Sequence, residues 1–307
     1  MCYLDNNDIL NRLTVADSLF RQINIIEDKY DIIPQNKKHI GVHIEFQDLQ
    51  ELRNEFINEL EDTIISWIYS REKFNELKEK AINNGKEDSA AYNQIRRKAR
   101  EKFRSYNSDK TLLGQGQMGE LLLFHFIQHC MKAIPILRKM PITTSPAHER
   151  FGADAIHYKI EHGKHIIILG EAKTYTTKYK FKTAFIDAIE SILNTYDNHK
   201  KEINLYLHED FLDQKMNLIA EDYLQNKLED VEIHLVSIVT YNEIKKIDYT
   251  NEDDIRDQIS KIIHERYSQI DKTKIDISKN PILNRITYIV FPIWKLDELV
   301  KEFQSRI

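Results

Sequence analysis

The sequence predicts an α/β fold in which a mixed sheet is flanked by helices, behind a mostly helical leading region. Three observations point there. Six of the eight glycines fall between Gly114 and Gly170, so that stretch differs in kind from what precedes it. From Leu112 onward the apolar patterns run helix, hairpin, helix, strand, an order that builds a sheet with helices packed on it. Before residue 110 the spacing is chiefly helical, with one short alternating run. The chain accordingly divides into an accessory, partner-binding region (1–110) and an α/β domain (111–307).

Taken in order, Asp8 to Asp28 has helical periodicity, and His39 to Phe46 alternates as a strand does. Gln47 to about Arg71 reads as one long amphipathic helix, with Leu49, Leu52, Phe56, Leu60, Ile64 and Trp67 near helical spacing. Asn83-Asn84-Gly85 stops the next helix, and a charged helix follows from about Ser89 to Tyr106. Asn107-Ser108-Asp109 then breaks the chain. A helix covers about Gln117 to Lys132. Pro135, Pro141 and Pro146 mark a linker with a short extended piece at Ile136–Leu137. Two strands, Ala153–Ile160 and His165–Ala172, precede a helix from about Thr183 to Tyr196. A strand from Val231 to Tyr241, a helix from Glu252 to Tyr267, a strand from Ile286 to Pro292 and a closing helix from Leu296 to Phe303 complete the pattern.

Of the 307 residues, 41% are apolar, enough for a buried core. No apolar run approaches the roughly 20 residues that span a bilayer. The opening residues show no basic stretch followed by an apolar one, as a secretory signal requires. Cys2 and Cys130 form neither a CxxC pair nor a disulfide framework. A cytoplasmic location is therefore expected. The net charge of −5 gives no global case for nucleic acid. Two local stretches can meet phosphate: Arg96, Arg97, Lys98, Arg100, Lys102 and Arg104, opposed only by Glu101, and Lys173, Lys178, Lys180 and Lys182. Each is also what a solvated face looks like.

The chemistry concentrates in Phe151-Gly152-Ala153-Asp154 and Gly170-Glu171-Ala172-Lys173. Glu161-His162-Gly163-Lys164 lies between them. A two-residue turn at His162-Gly163 and a four-residue loop give the same antiparallel register, in which Ile160 faces His165 and Asp154 faces Glu171. Opposed residues hold their Cβ atoms roughly 4.5–5.5 Å apart, so the two carboxylates repel unless a proton, a base or a cation intervenes. Lys173, two residues on, projects from the same face. A divalent, oxygen-seeking ion such as Mg²⁺ or Mn²⁺ suits such a pair. Glu120 is the single charge on a helical stripe with Leu123, Phe124, Ile127 and Met131, and reaches the pair if that stripe packs on the hairpin. Singly, each residue is an ordinary surface acid or ion-pair partner; together, in this order, they point to phosphodiester hydrolysis.

These residues resemble the PD-(D/E)xK nuclease superfamily over about residues 112–240, with Ala153 where the superfamily's name implies proline. The resemblance implies a restriction-endonuclease-like domain of order αβββαβ. It also implies cleavage of nucleic acid, DNA above all, with Asp154, Glu171 and Glu120 at the metal and Lys173 orienting water or stabilising charge. More of the chain is similar to HamA, the nuclease subunit of Hachiman anti-phage defence systems. This wider likeness adds Gly114-Gln115-Gly116-Gln117-Met118-Gly119-Glu120 and the late strand Tyr288–Ile293. It implies a helicase partner, HamB-like, that restrains the nuclease until damaged or invading DNA activates it. The alternative from another class is a non-catalytic subunit that binds nucleic acid or a helicase through the same surface.

Three other motifs compete. Gly114 to Gly119 matches GxGxxG, but a dinucleotide site needs a strand before it and an acid about 20 residues on, and no acid lies between Leu121 and His148. Its glycines instead suit a tight turn into the helix. His125 and His129 have zinc-motif spacing, yet Phe126 stands beside the first where a catalytic Glu belongs, and they read as ordinary, partly exposed histidines. Tyr175 to Lys182 mixes lysines with aromatic rings, which suits phosphate contact and base stacking, though a surface loop explains it almost as well. Asp187 and Glu190, on the helix after the pair, are within reach of a metal there, but such acids are more often solvated, and they are left out of the site.

Overall fold

The computed structural model describes residues 6–14, 16–105, 113–137, 153–177, 181–207, 214–248 and 250–307. Nine strands and eleven α-helices are present among them. The strands of the main sheet are β1 (Ile23–Asp28), β2 (His39–Ile44), β5 (Ile134–Leu137), β6 (Ala155–Glu161), β7 (Lys164–Tyr175), β8 (Val231–Glu243) and β9 (Ile286–Trp294). Their order is β1-β2-β9-β8-β7-β6-β5. The outer pairs β1/β2, β5/β6 and β6/β7 are antiparallel, and β2, β9, β8 and β7 run parallel. This is the mixed, helix-flanked sheet that the sequence predicts.

The α/β part begins with helix α7 (Leu113–Met131), followed by β5, β6 and β7, helix α8 (Phe181–Tyr206), helix α9 (Gln214–Leu224) and β8. Apart from α9, which the sequence reading lacks, this is the expected αβββαβ order. The hairpin of β6 and β7 closes through a two-residue turn with His162 at φ 51° and Gly163 at φ 78°, the paired positive angles of a type I′ turn. Register follows from that turn: Ile160 faces His165, and Ala155 faces Gly170.

Alternation along β7 sorts its side chains onto two cores. Ile167 and Leu169 point to a core shared with Phe185, Ala188, Ile189 and Ile192 of α8 and with helix α10 (Glu252–Ser268). Ile166 and Ile168 point to the opposite core, shared with α7, with α3 (Arg53–Asp62) and α4 (Ile64–Ile68), and with α11 (Leu296–Arg306). Helix α7 is therefore buried on nearly every side, with Leu121, Leu122, Leu123, Phe124, Phe126 and Ile127 all at 1% exposure or less. Its outer flank is covered by residues of the leading region, Phe56, Leu60 and Trp67 among them.

This cover changes the picture of residues 1–110. They supply β1 and β2 to the same sheet, and their helices share a core with α7 and α11. The break near residue 110 thus divides neither sheet nor core. Asp8 to Asp28 is not one helical pattern but two short helices, α1 (Asn6–Arg12) and α2 (Asp17–Phe20), followed by β1. Ile23, Ile25 and Ile26 are better accommodated beside β2, since β-branched residues fit a pleated surface. The long helix expected from Gln47 is replaced at its start by a small hairpin, β3 (Phe46–Gln47) and β4 (Gln50–Glu51), turning at Asp48 and Leu49 with positive φ. Between α3 and α4, Thr63 donates its hydroxyl to the Leu60 carbonyl at 2.6 Å, a local bond that competes with the helix. Helix α5 (Arg71–Asn83) stops where expected, with Gly85 at φ 86° closing it, and α6 (Asp88–Ser105) lies where a charged helix was expected from about Ser89.

Candidate active site

Strand β7 runs on past the start of β6, and the residues of interest lie where β6 gives out. Asp154 stands one position before β6, and its amide donates to the Gly170 carbonyl at 3.0 Å. The register continued by one pair sets Asp154 opposite Glu171. With no strand residue left to meet the Ala172 amide, Asp154 Oδ2 accepts from it at 2.9 Å. The preceding amide, of Ala153, donates at 2.7 Å to Oε2 of Glu202, a buried acid on α8.

Glu171 is 4% exposed. Its Oε1 accepts from Lys173 Nζ at 3.0 Å and from Ser191 Oγ at 2.6 Å, and its Oε2 accepts from Thr195 Oγ1 at 3.4 Å. Burial, and after it the Asp154 charge, push the Glu171 carboxyl up to about 7, against the opposing pull of Lys173 and the Ser191 hydrogen bond. Lys173 is half-buried, and its Nζ also reaches Ser191 Oγ at 3.3 Å. One position further along the same face, the Tyr175 hydroxyl donates to Asp187 Oδ2 at 2.9 Å. Ser237 of β8, in register beside Glu171, is buried with no hydrogen-bond partner for its hydroxyl among the described residues.

These contacts form a ladder whose geometry follows from two repeats. Alternate strand residues lie about 6.6 Å apart, and helix residues four apart about 6 Å. Glu171, Lys173 and Tyr175 therefore keep step with Thr195, Ser191 and Asp187 as α8 runs back across β7. The sequence reading passed over Ser191, Thr195 and Glu202, and set Asp187 aside as solvated. The signal was the spacing 187, 191, 195, beside the apolar positions 184, 185, 188, 189 and 192. It carries meaning only once α8 is known to cross β7.

Asp154, Glu171 and Lys173 are thus brought together. Glu120 stands apart from the expected arrangement in one respect: its helix covers the other face of the sheet. Leu123 and Ile127 press on Gly170, and Gly119 backs onto Ala172 and Thr174, the residues whose side chains point away from Glu171. Glu120 itself is half-buried at the Thr174 end of that contact. Among the described residues, no three acids, histidines or cysteines converge as a metal-holding group. The donor chemistry of the pair nevertheless fits a divalent cation. Two hard carboxylates face each other, one of them buried, and Lys173 offsets only part of their repulsion.

The remaining expected residues are dispersed. Arg96 pairs with Asp62 and Glu61, Arg100 with Glu61, and Arg97 with Glu101 one turn along, so all three arginines meet acids on α3 or α6. Lys182 is exposed in the first turn of α8. Lys178 and Lys180, with Gly152, Pro141 and Pro146, lie outside the described residues. The GxGxxG glycines lie within α7, where Gly119 permits the close approach to β7 and does not form a turn. His125 is fully buried, not partly exposed, because α7 is covered on both sides, and His129 stacks on Phe20 at 3.7 Å.

Compared with known proteins, residues 18–307 match the family model described as HamA. No curated protein sequence matches the chain. No helix among the described residues is long and apolar enough to cross a membrane.

Proposed function

The chain belongs to the HamA family, and on that premise we propose that it is a metal-dependent nuclease acting on DNA, the effector of an anti-phage defence complex with a helicase. The observation that carries this reading is Asp154 opposed to a buried Glu171 whose carboxylate is tied to Lys173. Two opposed acids beside one ammonium repel a phosphate unless a cation sits with them, so the cluster suits catalysis better than passive binding.

Asp154 and Glu171 would hold Mg²⁺ or Mn²⁺; Glu120, whose helix covers the opposite face of the sheet, is not placed with them. The ion, when bound, supplies a water of lowered pKa and neutralises charge on the phosphate. Asp154 is oriented by the Ala172 amide, which donates to its Oδ2. Lys173 has protons to donate toward water or toward the charge that develops on phosphate. The lysines at 178, 180 and 182 would meet the backbone of the nucleic acid.

The test is cleavage of plasmid and linear DNA with Mg²⁺ or Mn²⁺, by the chain alone and with its helicase partner. Cleavage lost in Asp154→Asn and Lys173→Ala supports the reading. Retained DNA binding with no cleavage under either condition would support the non-catalytic subunit.

A further inference from the structure

One hydroxyl joins the two groups on which the proposed chemistry depends. Ser191 Oγ lies 2.6 Å from Glu171 Oε1 and 3.3 Å from Lys173 Nζ, while that Nζ lies 3.0 Å from the same Oε1. A serine hydroxyl has one proton to donate and lone pairs that accept. It can therefore donate to the carboxylate and accept from the ammonium at once, closing a triangle that two charged side chains alone would leave hinged.

Packing does not account for a serine here. Ala184 and Ala188 fill neighbouring positions of α8 against the same core, and alanine is the better helix former. A helical serine commonly turns back to the carbonyl four residues earlier, yet Ser191 bonds forward to the strand. Thr195, one turn along, reaches the second oxygen of the same carboxylate at 3.4 Å.

Resting on the nuclease reading, we propose that Ser191 is a positioning residue that sets the Glu171 carboxylate and the Lys173 ammonium in one shared geometry, with Thr195 fixing the carboxylate's far side. Groups that hold metal ligands from behind cost about 10–100-fold in metal affinity or activity when removed.

The experiment measures Mn²⁺ binding to the full chain by calorimetry, alongside plasmid cleavage over a Mn²⁺ series. The proteins are wild type, Ser191→Ala, Ser191→Thr and Glu171→Gln. Ser191→Ala should melt within a few degrees of wild type, bind Mn²⁺ about 10-fold more weakly and cleave about 10–100-fold more slowly; Ser191→Thr, which keeps the hydroxyl, should recover most of both. Ser191→Ala equal to wild type in binding and cleavage, beside a defective Glu171→Gln, would overturn the positioning role and leave the nuclease reading standing. Glu171→Gln that binds Mn²⁺ as wild type does would overturn both. Should the alanine variant melt early, Ser191→Cys keeps the volume, weakens the hydrogen bond and is read by the same two outcomes.

Discussion

Asp154 Oδ2 accepts the Ala172 amide at 2.9 Å, so this carboxylate ends the β6–β7 ladder as well as facing Glu171. The two roles separate by substitution. Asparagine keeps an acceptor oxygen and removes the charge; alanine removes both. Asp154→Asn is expected to abolish cleavage and, in EDTA, to keep wild-type stability or gain about 0.2–1 kcal/mol from relieved repulsion. Asp154→Ala should lose about 1 kcal/mol for the unmade hydrogen bond. Millimolar Mg²⁺ should raise the melting temperature of wild type more than that of Asp154→Asn, because the ion binds the folded state preferentially. Equal shifts would place the ion elsewhere.

The raised carboxyl of Glu171 predicts a pH-dependent benefit from neutralising it. Its folded value of about 7 exceeds the ordinary carboxyl value of 4.5. The folded state therefore binds the proton more tightly, and the stability this contributes is full below about 4.5 and lost as pH rises through about 7. Glutamine copies the protonated form at every pH. Glu171→Gln should then stabilise the metal-free protein at pH 8 by on the order of 1–3 kcal/mol, and by much less at pH 5. Denaturant titrations in EDTA at the two pH values decide it, and a benefit that does not grow with pH would contradict the assigned shift.

Two glycines record how closely α7 approaches β7. A Cβ on Gly119 would lie 2.5 Å from Thr174 Oγ1, and one on Gly170 would lie 2.9 Å from Ile127 Cδ1 and 3.1 Å from Ala155 Cβ. Gly119→Ala gains roughly 1 kcal/mol of helix propensity, yet overpacking costs about 1–3 kcal/mol, so the net expectation is a loss. Thr174→Ala in the same chain should recover it, a coupling that thermal melts of the single and double variants measure. Additive losses would mean that the contact is not the cause.

At the far end of β8, Arg266 grips Glu243 with two hydrogen bonds, Nε to Oε2 at 2.9 Å and Nη2 to Oε1 at 2.6 Å, and the Glu243 side chain has no exposed surface. Removing one partner of such a pair costs about 3–5 kcal/mol because the other stays buried and charged. Arg266→Ala should fall in that range by denaturant unfolding. Arg266→Lys should recover only part, since an ammonium cannot present the parallel pair of donors. Full recovery with lysine would show that charge alone matters.

The sequence by itself determined the hairpin and what it carries. A two-residue turn at His162-Gly163 and strict alternation leave one register, so the opposition of Asp154 and Glu171, and the shared face of Lys173, were legible from spacing alone. Apart from α9, the order of helices and strands after residue 112 was legible for the same reason, since period and punctuation are local. Tertiary structure alone decided what lies across the space from that hairpin. Helix α7 has apolar residues around most of its circumference, and its pattern does not say which side of the sheet it covers; packing under α3, α4 and α11 set it on the face away from Glu171. The isoleucines from 23 to 26 became a strand only because β2 offered an edge. Ser191 and Thr195 were ordinary polar residues of a helix until α8 was laid across β7, where a four-residue step on one element meets a two-residue step on the other. Contacts between elements far apart in sequence depend on which faces meet, and local periodicity carries no record of that choice.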